Sequence, residues 1–135
     1  LRSAYVCIVG KTYGGLRCLE EMKIHGLPDT LCIDEVNYVE YDRLAKRFSL
    51  YLLDGSRVYA RHIVMATNLV NTQHILRDMI TPDWIYKHFE RDEDGKWYPI
   101  KTLPEIDGIW YCSIELCGGK ARCEQQAEEL AIHIS

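Results

Sequence analysis

Gly10, Thr12, Gly14 and Gly15 form a turn directly after the apolar run Tyr5-Val6-Cys7-Ile8-Val9, and Asp34-Glu35 ends the next apolar run, Leu31-Cys32-Ile33. This is the layout of dinucleotide chemistry. Glycines let backbone approach a pyrophosphate at a helix N-terminus, and an acid roughly 20 residues on takes a ribose hydroxyl. Gly10 and Gly15 fill the first and third positions of G-x-G-x-x-G, Asp34 or Glu35 can serve as the acid, and Thr12 holds the middle position. A threonine there either holds the ligand off or marks a turn whose ligand is gone. Gly10-Lys11-Thr12 is not a P-loop, because the glycine required five positions earlier is Tyr5, inside the apolar run.

Other reactive residue types are less well placed. Six cysteines suggest a disulfide framework, but Cys7 and Cys32 lie in apolar strands and Cys18 in a helical stretch, where a reduced thiol behaves as a small hydrophobe. Cys112, Cys117 and Cys123 are separated by four and then five residues. With no C-x-x-C pair they support neither a zinc ribbon nor a thioredoxin-type dithiol, and ordinary packing is their default reading, with no metal assigned. His25, His62, His74, His88 and His133 stand singly, none beside a serine or cysteine in a nucleophile motif, so no catalytic residue is assigned. Asp92-Glu93-Asp94-Gly95 has the acids of a calcium loop but lacks the later bidentate acid, and a solvated turn accounts for it.

These residues need elements to hold them. Tyr5 to Val9 reads as a strand buried on both faces, followed by a helix carrying Leu16, Cys18, Leu19, Met22 and Lys23 that stops at Gly26 ahead of Pro28. With the strand ending at Ile33 this makes a βαβ unit. Residues 36–46 give no clear pattern. Phe48-Ser49-Leu50-Tyr51-Leu52 and Arg57-Val58-Tyr59-Ala60 flank Asp54-Gly55, a hairpin signal, and His62 to Thr67 is a further apolar strand. Residues 71–90 read as two helical pieces broken at Pro82, with Thr81 as a cap and Trp84, Ile85 and His88 or Phe89 on one face. A last strand at 108–112, a glycine turn at Gly118-Gly119 and a helix with Ala127, Leu130, Ala131 and Ile134 on one face complete the chain.

Composition excludes several classes. At 135 residues one domain is expected, and a net charge of −4 with scattered basic residues gives no footprint for nucleic acid. No apolar run approaches the roughly 20 residues of a membrane span, and the opening residues lack a signal-peptide layout. The expectation is an intracellular, cytoplasmic protein.

In segment order the chain resembles the two-dinucleotide-binding flavoproteins, which include pyridine nucleotide-disulfide oxidoreductases and type II NADH:quinone oxidoreductases. Ala4 to Arg17 is similar to their opening FAD motif, and Asp54-Gly55-Ser56 through Ala66-Thr67-Asn68 to their hairpin and the strand ending in Ala-Thr-Gly. Asp94-Gly95, Thr102-Leu103-Pro104 and Gly108-Ile109-Trp110-Tyr111 are similar to the approach to their C-terminal Gly-Asp motif, and Glu124-Gln125-Gln126-Ala127 to the helix after it. The resemblance implies FAD first and NAD(P) second as cofactor, lying over Gly10, Thr12, Gly14 and Gly15. Its ribose would be near Asp34 or Glu35, with Ala66, Thr67 and the turn from Ser113 to Glu115 closing the site. Departures accompany it. Ser113 and Ile114 stand where the family has glycine and the aspartate that binds the ribityl chain, Thr12 and Asn68 replace glycines, and the separate NAD(P) domain and redox-active cysteine pair are missing.

The implied protein is an α/β, Rossmann-like three-layer domain with a mainly parallel sheet plus an antiparallel β-hairpin or meander. It forms one domain over residues 1–135 with the hairpin inserted at about 47–61. It is either a FAD-dependent oxidoreductase component or a non-catalytic remnant in a larger assembly, joined to a second copy or a protein partner. A rival reading is a BRCT-like phosphopeptide-binding module, because Ile80 to Phe89 is similar to the tryptophan-bearing last helix of that family. The flavoprotein reading requires 108–112 to be a central parallel strand beside Tyr5 to Val9; the rival makes it a tail.

Overall fold

The structure, a computed structural model, describes residues 2–81, 83–95, 97–99 and 108–135. Pro82 and Thr102-Leu103-Pro104, which the sequence reading used as a helix start and a motif, lie outside them. The elements run β1 (Arg2–Val9), α1 (Tyr13–Ile24), β2 (Thr30–Ile33), β3 (Val36–Asp42), β4 (Arg47–Leu52) and β5 (Arg57–Met65). There follow α2 (Leu69–Ile75), α3 (Trp84–His88), β6 (Phe89–Arg91), β7 (Trp97–Pro99), β8 (Ile109–Tyr111), α4 (Ile114–Cys117) and α5 (Lys120–Ile134).

The fold is α/β with a mixed sheet, in which parallel strands are joined to an antiparallel meander. Five of the six strands follow the path β2-β1-β5-β4-β3, and the sixth, β8, pairs with β5. The β1–β2, β1–β5 and β5–β8 pairs are parallel, whereas β3–β4 and β4–β5 are antiparallel. β5 makes this mixture in one strand: on the side away from β1 its first half pairs with β4 and its second half with β8. Its buried positions change phase to match, from Val58 and Ala60 to Ile63 and Met65 in the same core cluster. The hairpin predicted around Asp54-Gly55 is present, but the strands read separately at 57–60 and 62–67 are one. The patternless stretch from Val36 is β3, whose inward Val36 and Val39 alternation is interrupted by a register shift between Val36 and Tyr38.

Residues 108–112 correct both competing expectations. β8 is parallel and buried, so it is no tail, but β5 stands between it and β1. Nor is Trp84 in a last helix, since α3 precedes β8.

Alternation in β1 divides the core. Val6 and Ile8 face α1 and α5 in one apolar cluster with Cys18, Met22, Val64, Ala127 and Leu130, while Cys7 and Val9 face the other with Phe48, Ile63, Leu76 and Trp84. The face of α1 differs from the predicted one. Gly14, Gly15, Cys18, Glu21 and Met22 are buried, Leu16 is exposed, and glycines lead because the helix start lies against backbone. In α5 the predicted Ala127, Leu130, Ala131 and Ile134 are buried, joined by Cys123.

The second cluster holds a buried polar pair, His88 Nδ1 and Tyr111 Oη at 2.8 Å, with Trp84 and Phe89 tilted against the phenol. Burial pushes the Tyr111 phenol up from its ordinary value of 10.0. A raised pKa means that the fold favours the neutral form, so this stabilisation is complete below pH 10 and is lost as pH climbs towards the folded-state value. Tyr111→Phe is expected to cost about 1 kcal/mol at neutral pH. It should also flatten the decline of stability above pH 10; denaturant midpoints across that range check both, and an unchanged slope would dissociate Tyr111 from the alkaline limb.

Candidate functional site

Three register pairs level the carboxyl ends of the parallel strands. Val9 pairs with Ile33 of β2 and Met65 of β5, and Met65 pairs with Tyr111 of β8. The next residue of each strand therefore lies on one edge, which brings Gly10, Asp34, Ala66 and Cys112 together. In open α/β sheets the crevice beyond such ends is where ligands bind.

Each predicted residue has a definite place on this edge. Gly10 leaves β1 at φ +119, and an added Cβ would lie 3.0 Å from the Ala66 carbonyl oxygen. Thr12 caps α1: its Oγ1 accepts from the Gly15 amide at 3.2 Å and donates to the Ala66 carbonyl at 2.5 Å. The hydroxyl thus bridges the turn to the end of β5. Gly14 and Gly15 pack against backbone. Their added Cβ atoms would meet the carbonyl oxygens of Cys112 at 2.3 Å and Gly10 at 1.9 Å. Asp34 Oδ1 accepts from the Lys11 amide at 2.9 Å, so this acid holds the turn itself, while the neighbouring Glu35 takes a left-handed φ of 62.

The remaining residues connect the edge to α2 and α4. Ala66 is fully buried under the turn. Thr67 Oγ1 accepts from Asn71 Nδ2 at 3.2 Å, and Asn68 caps α2 by accepting from the Asn71 amide at 2.8 Å. Ser113 is buried and caps α4 through the Leu116 amide at 3.1 Å, and Glu115 accepts from the Leu69 amide at 3.3 Å. Ile114 is 44% exposed and offers no polar side-chain atom. The edge therefore combines a glycine turn, exposed Asp34 and Glu35, the Lys11 charge and the positive end of α1, a set that suits the nucleotide and phosphate end of a dinucleotide. It offers no side-chain acid at position 114 for a ribityl chain.

Sequence reasoning missed the Lys11–Asp34 clasp and the Glu115–Leu69 bond, which join residues 23 and 46 positions apart and leave no local signal. Asn68 had one, since asparagine before a helix is a strong cap. Two further groupings also emerge. The outer side of β3, β4 and β5 carries stacked Tyr38 and Tyr51, with Arg57 over Tyr51, Arg47 over Tyr59 and Arg77 over Tyr38, so arginines scattered in sequence share one aromatic surface. Cys112, Cys117 and Cys123 bring their sulfurs within 4.8 Å of one another. Hydrogen bonds from Cys112 and Cys117 lower the Cys123 thiol from its ordinary value, whereas burial pushes Cys7 up to about 12. The acidic turn at 92–95 is closed by Asp92, which accepts from the Asp94 amide at 2.9 Å and pairs with Arg122 at 2.9 Å. Among the described residues no helix is long and apolar enough to cross a membrane.

No protein-family model matches the chain, and no curated protein does. Among solved structures it is similar to bacillithiol disulfide reductase Bdr (YpdA) from Staphylococcus aureus, at 13% identity and a TM-score of 0.42. That alignment covers 50% of this chain and 43% of the other, so the chain spans less than half the length of that protein. A likeness this loose fixes neither activity nor ligand.

Proposed function

We propose that the chain is a Rossmann-like, three-layer nucleotide-binding domain over residues 1–135, with FAD as its first ligand and NAD(P) as its second. The observation that carries the reading is the levelled strand edge, where Gly10, Thr12, Asp34, Ala66 and Thr67 adjoin the N-terminus of α1. In this reading the pyrophosphate lies over Gly10, Thr12, Gly14 and Gly15, the ribose lies near Asp34 or Glu35, and Ala66, Thr67, Ser113 and Glu115 close the far side. The ADP half of the dinucleotide is the better served end, because Ile114 supplies no ribityl ligand. A bound flavin would bring the redox chemistry itself, and the chain would contribute binding and orientation.

Thr12 sets the affinity. Removing its side chain frees the Gly15 amide and the approach past Ala66, and threonine-to-glycine at a cap costs only a few tenths of a kcal/mol for the cap itself. Thr12→Gly is expected to tighten FAD and ADP binding about tenfold, or ~1.4 kcal/mol. Absorbance of the purified protein, then titration of both forms with FAD and with ADP, checks this. Equal affinities would remove Thr12 from the site, and no uptake of either ligand by either form would overturn the nucleotide reading.

A further inference from the structure

Four of the six cysteines meet on the α1 and α5 side of the sheet. Cys112 follows β8, Cys117 ends α4, Cys123 lies near the start of α5, and Cys18 faces them from α1. The sulfurs of Cys112, Cys117 and Cys123 lie within 4.8 Å of one another, and Cys112 and Cys123 are 3.9 Å apart. All three are buried, and Cys18, also buried, belongs to the same apolar cluster. We propose that Cys112, Cys117 and Cys123 are three ligands of a closed structural Zn2+ site, with Cys18 as the fourth.

Geometry and chemistry converge on this metal. Tetrahedral zinc with Zn–S bonds of about 2.3 Å has sulfur–sulfur edges of about 3.8 Å. The Cys112–Cys123 separation already matches such an edge, and the widest separation among the three sulfurs exceeds it by about 1 Å, within reach of small side-chain rotations. An all-sulfur ligand set selects soft or borderline cations over calcium or magnesium. The surroundings, Val6, Ile8, Met22, Val64, Ala127 and Leu130, are buried and apolar, which suits a closed structural site and not a catalytic one with an open position.

The backbone is also arranged for it. Gly118 and Gly119, at φ +80 and +132, reverse the chain between α4 and α5 and fold Cys117 back towards Cys123. Gly14 lets α1 close over the cluster, since a Cβ there would lie 2.8 Å from the Cys123 sulfur. The bonds the thiols make are weak ones, Cys112 to the carbonyls of Gly14 and Cys123 at 3.6 Å and to the Cys123 sulfur at 3.9 Å, and Cys117 to the Tyr111 carbonyl at 3.8 Å. Zinc would replace these, displacing one proton to solvent from each ligand still in its thiol form. The result ties α1, β8, α4 and α5 together, a role independent of whether a nucleotide binds at the neighbouring edge.

The test uses the whole chain, purified under reducing conditions and loaded with Zn2+ or Co2+. Expected results are about one metal per chain, a sulfur-to-cobalt charge-transfer band with intense tetrahedral d–d absorption, and a fall in Tm on chelation. Cys117→Ala and Cys123→Ser should lose the band, whereas Cys32→Ala, which packs against the cluster but is not one of the four ligands, should keep it. Should those two variants not fold, X-ray absorption of the zinc-loaded wild type gives the answer, with a shell of three or four sulfurs supporting the site. Absence of thiolate-bound metal in the folded wild type overturns the proposal. So does a Cys112–Cys123 disulfide found in place of metal in freshly purified protein, or loss of the band in Cys32→Ala as well.

Discussion

Gly15→Ala is expected to destabilise the chain by roughly 3 kcal/mol or more, one of the largest effects available from adding a single methyl group. The added Cβ would fall 1.9 Å from the Gly10 carbonyl oxygen. Both sides of that contact are backbone, one at the end of β1 and the other in the first turn of α1, so no flexible side chain can yield. Relief requires α1 to move off the sheet, taking with it the contacts of Cys18 and Met22. For a chain of this length the loss corresponds to a fall in Tm of about 10 °C. Gly55→Ala is the comparison: nothing lies within 4 Å of its added Cβ, and its φ of +87 alone limits the cost to about 1 kcal/mol. Matching Tm values for the two variants would show that the turn is not built on this close approach. The same contact makes Gly15 a poor probe of ligand binding, since affinity lost with the fold says nothing about contact; Thr12, whose side chain is exposed, is the informative position.

Phe48→Ala should cost about 3–5 kcal/mol, the usual range for deleting a fully enclosed ring. Phe48 has no exposed surface and joins the antiparallel and parallel halves of the sheet. Its ring packs on Tyr41 of β3 at 4.8 Å, and its edge lies 3.1 Å from where a Cβ on Gly108 would stand, just ahead of β8. Collapse into the vacated space is opposed because strands on both sides are fixed by pairing to β5. Leu44→Ala, at a side chain 98% exposed, should change stability by less than about 0.5 kcal/mol. Chemical denaturation measures both. A loss under about 1 kcal/mol for Phe48→Ala would mean that the meander unfolds independently of the parallel strands.

Local chemistry was legible from sequence alone. The βαβ opening, the Asp54-Gly55 hairpin, the solvated 92–95 turn and the buried stripe of α5 depend on backbone conformations and periodicities that a few neighbouring residues determine. The glycine turn and its departure at Thr12 were legible for the same reason. Only tertiary structure decided the rest. One strand, β5, changes partner and phase midway, a property of register that no local pattern encodes, and this makes the sheet mixed and puts β5 between β1 and β8. Asp34 closing on Lys11, Glu115 on Leu69, and Cys18 joining three cysteines about a hundred positions away each require the chain to return to one edge or one face. A residue type announces what chemistry it can do, but the partner that makes the chemistry specific is chosen by packing between segments remote in sequence.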